Sequence, residues 1–458
     1  MDTRDWILLS VIFYGCVLTA TCFYAFVKRR SSLFEPISLY LFLVTLFALP
    51  LPIRAYITME IEGNVSPYLP EFAPYLPISL VMTAMALPIF AAGYYSRLAN
   101  SLAARLPLLA QRSTRGTGIA VLLLVALSGV LIYLLTQELG GFVAFLLSGY
   151  KSSEATFGRG YLAVGFPWLI VAMVALLERW AITRRSLDFL SFFAMMVVNL
   201  VVHFVTGNRS LIMYIAIVVI VFVHFRIRRL SLKLLVPIAM AGFLALNVAG
   251  LLRNSDYDSV GDFIQKTITS AEAVTADDNN SLFYTLTIGE FVVPFETLAQ
   301  MTRTVGVTEW PWLGLSFVRS PLYLIPSFAF PDRPDSLGFW YMQNFYGGGQ
   351  GLNEGRQFFY LAEGYLNFGP LGIVLVAGMW GLLWGALHRW MMRGRDRFGT
   401  VLVYALVVGF MFRCIAGEFV TMLVGITQQS LIAVAIILVV SNVFGSRRQA
   451  RKSGTPTI

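Results

Sequence analysis

Thr117-Gly-Ile-Ala-Val-Leu-Leu-Leu-Val-Ala-Leu-Ser-Gly-Val-Leu-Ile-Tyr-Leu-Leu-Thr-Gln137 carries no charge from end to end. As a helix rising 1.5 Å per residue it is about 30 Å long, the thickness of a bilayer's hydrocarbon core. Similar runs recur near 6–27, 35–53, 75–95, 161–177, 189–206, 211–225, 234–252, 370–387, 399–415 and 420–443. The expectation is an all-α polytopic membrane protein of about 11 transmembrane helices, one integral membrane domain over 1–458. Composition agrees. A chain of 458 residues would otherwise suggest two or three soluble domains, but 57% of it is hydrophobic and only 13% charged. That charged share is about half the soluble norm, and with a mean hydropathy of +0.71 the polar surface is too small to wrap the apolar content. The N-terminus does not read as a cleaved signal, because Met1-Asp-Thr-Arg-Asp is not basic and the run 6–27 is long enough to span. Cys16, Cys22 and Cys414 sit in apolar runs, which excludes an extracellular disulfide or a zinc site built on them.

Charge sets the orientation. Alternate connections, at 28–30, 97–116, 178–188, 226–233, 388–398 and 446–458, hold 22 of the 34 basic residues. Counting Glu35 just beyond the first of them, they carry only four acids, Glu35, Glu178, Asp188 and Asp396, so this side has a net +18 against −9 on the other. The overall +9 is therefore a topology record, with no nucleic acid implied. Basic connections belong inside, which puts the N-terminus outside and the C-terminus in the cytoplasm. The outer face then owns a large extracytoplasmic loop, residues 253–357. Its apolar stretches, Phe291-Val-Val-Pro-Phe and Leu322-Tyr-Leu-Ile-Pro-Ser-Phe-Ala-Phe, are too short and too Pro-broken to span. They read as interfacial or re-entrant pieces packed on the bundle. Ordered loops beyond ~15 residues are usually functional, so the chemistry is expected to face outward.

Within that face, Gly207-Asn208-Arg209-Ser210 turns between two spans. Gly and Asn are explained by the turn alone, whereas a guanidinium at membrane depth usually meets an anion or lines a cavity. Arg413 near the end of a later span is a second such cation, with an ion pair to Glu418 as the equal alternative. Arg253 and Arg319 add positive charge to the loop. Asp256-Tyr-Asp258 and Glu60-Ile-Glu62 are acidic pairs of the kind that bind a divalent cation, though solvated loop charge is the commoner explanation. The densest constellation is Asn344-Phe-Tyr-Gly-Gly-Gly-Gln-Gly-Leu-Asn-Glu-Gly-Arg356 followed by Phe359-Tyr-Leu-Ala-Glu363-Gly-Tyr365-Leu-Asn367. Gly348 and Gly349 allow close approach of backbone N–H groups to a ligand, and no Gly-Lys-Ser/Thr makes this a nucleotide loop. A helix over 357–368 would put Arg356, Tyr360 and Glu363 on one face, with Glu363 as a general base of raised pKa. The competing reading is a flexible glycine loop with an interfacial acid. His203, His224 and His388 all lie in or at the ends of spans, so no His-based triad or zinc site is expected in the outer loop.

These residues resemble the O-antigen polymerase (Wzy-type) family of oligosaccharide repeat-unit polymerases. The carriers are Gly207-Asn-Arg-Ser, Gly289-Glu-Phe-Val-Val-Pro-Phe, the stretch Pro321 to Pro331, and Ala362-Glu-Gly-Tyr-Leu-Asn-Phe-Gly-Pro-Leu-Gly372. Arg303 and Gly314 match once the Arg-x10-Gly spacing described in some members. The layout is similar over most of the chain and pronounced in 200–255 and 285–385. O-antigen ligases share this general look, and both resemble the metal-independent, GT-C-like glycosyltransferases. Ligases lean on a loop histidine that is missing here.

The resemblance implies an enzyme of the bacterial cytoplasmic membrane that joins undecaprenyl-pyrophosphate-linked oligosaccharide repeat units at its outer face. Membrane lipid, a chain-length regulator and a flippase are the implied partners, and no cofactor and no metal are implied. The residue reading converges on the same step. Glu363 would activate the attacking hydroxyl, with Glu290 second, and Arg209 and Arg356 would act with it. Arg253, Arg319, Arg413, Gly348, Gly349, Tyr365 and Asn367 would hold the lipid-pyrophosphate glycan. A ligase or a transferase using a polyprenyl-phosphate sugar is the alternative within this class. A polysaccharide or lipid transporter is the rival of another class. It is disfavoured by spans read as free of mid-depth charge and by the lack of an internal repeat. A receptor or scaffold fits least, since nothing soluble lies on the basic side.

Overall fold

The computed structural model describes residues 2–58, 71, 73–109, 114–137, 139–148, 159–231, 233–237, 259–275, 291–327, 329–346 and 356–452, with single positions at 240, 242, 245, 248, 252 and 257. These residues are mostly helical, with no strand among them. Ten helices are long and apolar enough to cross a membrane: α1 (Thr3–Lys28), α2 (Pro36–Ile57), α3 (Ala73–Tyr94), α4 (Gly116–Gln137), α5 (Gly160–Thr183), α6 (Ser186–Val205), α7 (Arg209–Ile227), α8 (Pro370–Arg393), α9 (Phe398–Ala416) and α10 (Phe419–Phe444). Each matches an expected span. The expected span at 234–252 falls mostly outside the described residues. This is a multi-pass membrane protein. Its outer surface says so too, since Leu122, Leu187 and Leu190 are well over half exposed on faces that only lipid would cover.

Close backbone approach holds the bundle. A Cβ at Gly381 on α8 would run into the Phe90 carbonyl of α3, so these two helices meet as only glycine permits. α9 is the central helix, with 89% of its most apolar window buried. The two ends of the bundle differ in charge, as the alternating connections require. At one end Arg226 grips Glu178 with a fork of bonds, Nη2 to Oε1 at 2.7 Å, and caps the Asp396 carbonyl at 2.9 Å. Arg393 there donates to the Ala103 carbonyl and Arg389 to the Tyr94 carbonyl.

The opposite end is covered by a cap made from the segment between α7 and α8. It contains the helices Val293–Thr304, Leu315–Arg319, Leu337–Phe345 and Tyr360–Phe368. Phe291 and Val292 just before the first, and Phe295 and Leu298 within it, are buried in the main core, with Pro294 in the helix's first turn. The last cap helix stops at Gly369, whose φ of +58° reverses the chain into Pro370 at the start of α8. Gly364 and Gly372 then cross backbone to backbone.

Candidate functional site

Buried carboxylates tie the cap to the bundle. Glu363 is 1% exposed. Its Oε1 accepts from Ser316 Oγ at 2.6 Å and its Oε2 from the Phe419 N–H, also at 2.6 Å. One carboxyl thus links the last cap helix, the Leu315–Arg319 helix and the start of α10. Asn367, one turn on, donates to Ser316 Oγ and to the Glu363 carbonyl, both at 2.8 Å, and accepts from the Gly314 N–H at 2.9 Å. Glu418 repeats the device, accepting from the Leu337 N–H at 2.6 Å. Burial raises both acids, and the Glu418 charge raises Glu363 further. Glu363 is pushed up to about 8 and Glu418 to about 7, despite the hydrogen bonds that favour their ionised forms.

A third acid, Glu296, is fully buried in the Val293–Thr304 helix. It accepts from Tyr341 at 3.2 Å, from Tyr346, and from Arg356 Nη2 at 3.3 Å. The Arg356 guanidinium also lies over the Tyr346 ring, 4.3 Å from its centroid. Desolvation raises Glu296, opposed by Arg356 and the two phenols. Arg356 is therefore occupied by an internal acid.

The expected face of Arg356, Tyr360 and Glu363 does not form. The helix begins only at Tyr360, Arg356 precedes it in extended chain, and the Tyr360 hydroxyl bonds that of Tyr40 at 2.6 Å. Glu363 has both oxygens engaged within the protein and is almost fully buried, away from any incoming hydroxyl. The geometry makes it a strut. Asn367 is a second strut, and Tyr365 is 9% exposed within the core. Arg319 stays on the surface of the cap. Arg253, Glu290, Gly348 and Gly349 lie outside the described residues, as do Glu60, Glu62, Asp256 and Asp258. Among the described residues no three of His, Cys, Asp and Glu gather in a metal-binding group.

Under the cap, a second cluster joins the Gly207-Asn-Arg-Ser turn to α9 and α10. Gly207 has φ +63°, and the Asn208 side chain caps α7 by accepting from the Leu211 N–H at 3.3 Å. The turn accounts for those two residues. Ser210 Oγ does more: it accepts from Arg413 Nη2 at 2.7 Å and Nε at 3.1 Å. Arg413 Nη1 reaches Gln429 Oε1 at 3.4 Å. The Arg413–Glu418 ion pair does not form, because Glu418 is turned to the cap, and Arg413 meets no described carboxylate. His203 lies within electrostatic reach of it, 3% exposed, with an Nε2 that finds no hydrogen-bond partner among the described residues. Arg209 opens α7 directly beside Ser210, half-buried.

Both α9 and α10 are interrupted here. α9 breaks at Phe410, and α10 carries a π-helical turn over Thr427–Leu431. Within that turn Ser430 bonds Tyr214 at 3.0 Å, the Gln428 carbonyl accepts from Trp168, and Gln428 Nε2 reaches the Leu324 carbonyl of the cap. Sequence reasoning passed over this polar layer, although Thr427-Gln-Gln-Ser inside an apolar run was its visible signal. No family model, curated protein or solved structure matches the chain.

Proposed function

We propose that the protein is a glycosyltransferase of the O-antigen polymerase kind, acting on polyprenyl-pyrophosphate-linked repeat units at the capped end of the bundle. The observation that carries this reading is Arg413, a cation between α7, α9 and α10 with only neutral partners among the described residues. A guanidinium held by Ser210 and Gln429 at membrane depth has no counter-ion among the described residues, and a lipid-linked pyrophosphate arriving along the bilayer supplies one. Arg209 and the N-terminal N–H groups of α7 add positive potential on the same side. In the reaction an acceptor hydroxyl bonds to the donor's anomeric carbon while that carbon's bond to the pyrophosphate oxygen breaks. Negative charge grows on the leaving pyrophosphate, where Arg413 and Arg209 stabilise it. Proton removal is not assigned to Glu363, and Glu290 remains the other candidate. On this reading the capped end faces outward from a bacterial cytoplasmic membrane, as the positive-inside rule requires.

The test is chain extension from defined undecaprenyl-pyrophosphate repeat units by purified variants. Arg413→Gln is expected to lower turnover by about 10²-fold or more with little change in apparent Tm. Full activity of that variant at normal expression would sink the proposal. The interrupted α9 and α10 favour one rival, a transporter, since broken helices often mark transport sites.

A further inference from the structure

At the basic end of the bundle a cavity of about 410 Å³ opens between the residue 32–35 connection, the end of α7 and the end of α8. We infer that it is a binding site for the phosphate of an anionic phospholipid in the leaflet at that end. Three nitrogen donors carry the inference. Arg229 is exposed and makes no bond to a described acceptor. Arg395 spends only its Nε, on the Phe225 carbonyl at 3.1 Å, which leaves the two terminal nitrogens of the fork open. His224 is stacked on Phe34, ring centroids 3.5 Å apart, and its Nδ1 accepts from the Leu230 N–H at 3.1 Å. A neutral imidazole that accepts at Nδ1 carries its proton at Nε2, so His224 is a third donor held by stacking. Both guanidiniums lie within electrostatic reach of its ring.

The lining also contains opposing groups. Glu35 forms part of the wall, but its Oε1 accepts from the Ser32 N–H at 2.7 Å and its Oε2 from Tyr94 at 3.2 Å. It also faces His388 Nε2 at 3.8 Å. Carbonyls at the ends of α7 would repel an anion, but Arg395 already covers that of Phe225. With two guanidiniums against one engaged carboxylate the balance stays positive, which suits a singly charged phosphodiester. The rim points to a lipid rather than a free ion. Leu33 and Met392 line the same cavity and are each about half exposed, an apolar edge that acyl chains would cover. Basic pockets between spans on the basic side commonly hold lipid head groups.

The experiment uses the full chain purified in detergent, with bound lipid read by native mass spectrometry after titration with phosphatidylglycerol, phosphatidylcholine or inorganic phosphate. Phosphatidylglycerol is expected to bind at least tenfold more tightly than phosphatidylcholine. Arg229→Gln and Arg395→Gln should each reduce that preference, and the double variant should abolish it. Arg229→Gln removes no internal bond, so its unchanged apparent Tm separates lost binding from misfolding. Equal binding of the two lipids overturns the inference, as does an undiminished preference in the double variant. Displacement of phosphatidylglycerol by an equal concentration of inorganic phosphate overturns the lipid assignment.

Discussion

Replacing Glu363 by Gln separates a catalytic base from a structural strut, and the structure sets the size of the effect. The carboxyl is raised from 4.5 to about 8, chiefly by burial, so the folded state binds a proton that the unfolded state releases. The sign follows from linkage. Between those two values the folded form holds more protons, so stability falls as pH rises, by ~1.4 kcal/mol per pH unit. Over the whole interval the loss is on the order of 4–5 kcal/mol, fully absent below pH 4.5 and complete above about 8. Gln resembles the protonated acid in shape and can still accept from Ser316 Oγ or the Phe419 N–H. At pH 4.5 or below the variant should therefore match the parent in apparent Tm; at pH 6 it should already be ahead by about 2 kcal/mol, and at pH 9 by more. Its transferase turnover at pH 6–7 should stay within about threefold of the parent, because a buried side chain at 363 whose oxygens are held by Ser316 and Phe419 does not meet the acceptor hydroxyl. Glu363→Ala behaves differently. It strands Ser316 and the Phe419 N–H, and should lose about 1–3 kcal/mol per unsatisfied group at every pH. The assays are thermal unfolding at pH 6 and 9 alongside chain extension. A 10²-fold loss of turnover in a Gln variant of normal stability would refute the strut and restore the base.

Gly381→Val should destabilise strongly, by about 3 kcal/mol or more, because its side chain meets the Phe90 backbone and neither helix can move aside; apparent Tm and detergent-extracted yield report it. In a background without native cysteines, Val307→Cys should react with an impermeant thiol reagent added outside intact cells, and Arg228→Cys should not; the reverse pattern would invert the bundle. Chain extension should survive EDTA, since fixed cations can carry the leaving-group charge; loss restored by Mg²⁺ would move the phosphate site to Asp256 and Asp258.

The spans were legible because lipid imposes a one-dimensional rule: about 20 apolar residues per crossing, with basic connections alternating. The candidate site was not legible in the same way. Arg356 was visible as a cation, but its partner Glu296 is sixty positions away, beside a stretch read only as an interfacial piece. Glu363 attracted attention as an acid among aromatics, and its burial was foreseen. The Ser316 hydroxyl and the Phe419 N–H that occupy it come from segments brought together only by tertiary packing. A helix drawn three residues too early also placed Arg356 on a face it does not share. Arg413 was visible as a costly cation within a span wherever its partners come from, but Ser210 and Gln429 as those partners were not.

The polar layer between α9 and α10 bears on the choice between transferase and transporter. A transporter must open that layer to each side of the membrane in turn. Towards the cap the layer has polar neighbours and a half-buried Arg413, so a ligand approaching from that side needs only movements of the cap. Towards the basic end, Arg226 joins α7 to Glu178 of α5 and to the Asp396 carbonyl beside α9. Glu178 is 1% exposed, and separating it from Arg226 would leave a buried charge unpaired, at about 3–5 kcal/mol. Thr400 of α9 also bonds the Leu109 N–H and shares its backbone with that segment, at 2.9 and 3.1 Å. Opening inward would have to break these together in every cycle, whereas glycosyl transfer from the capped side breaks none. Arg226→Gln is accordingly expected to lower stability while leaving turnover per folded molecule unchanged. An Arg226→Gln protein of normal stability that accelerated the movement of a lipid-linked glycan across vesicles would favour the transporter instead.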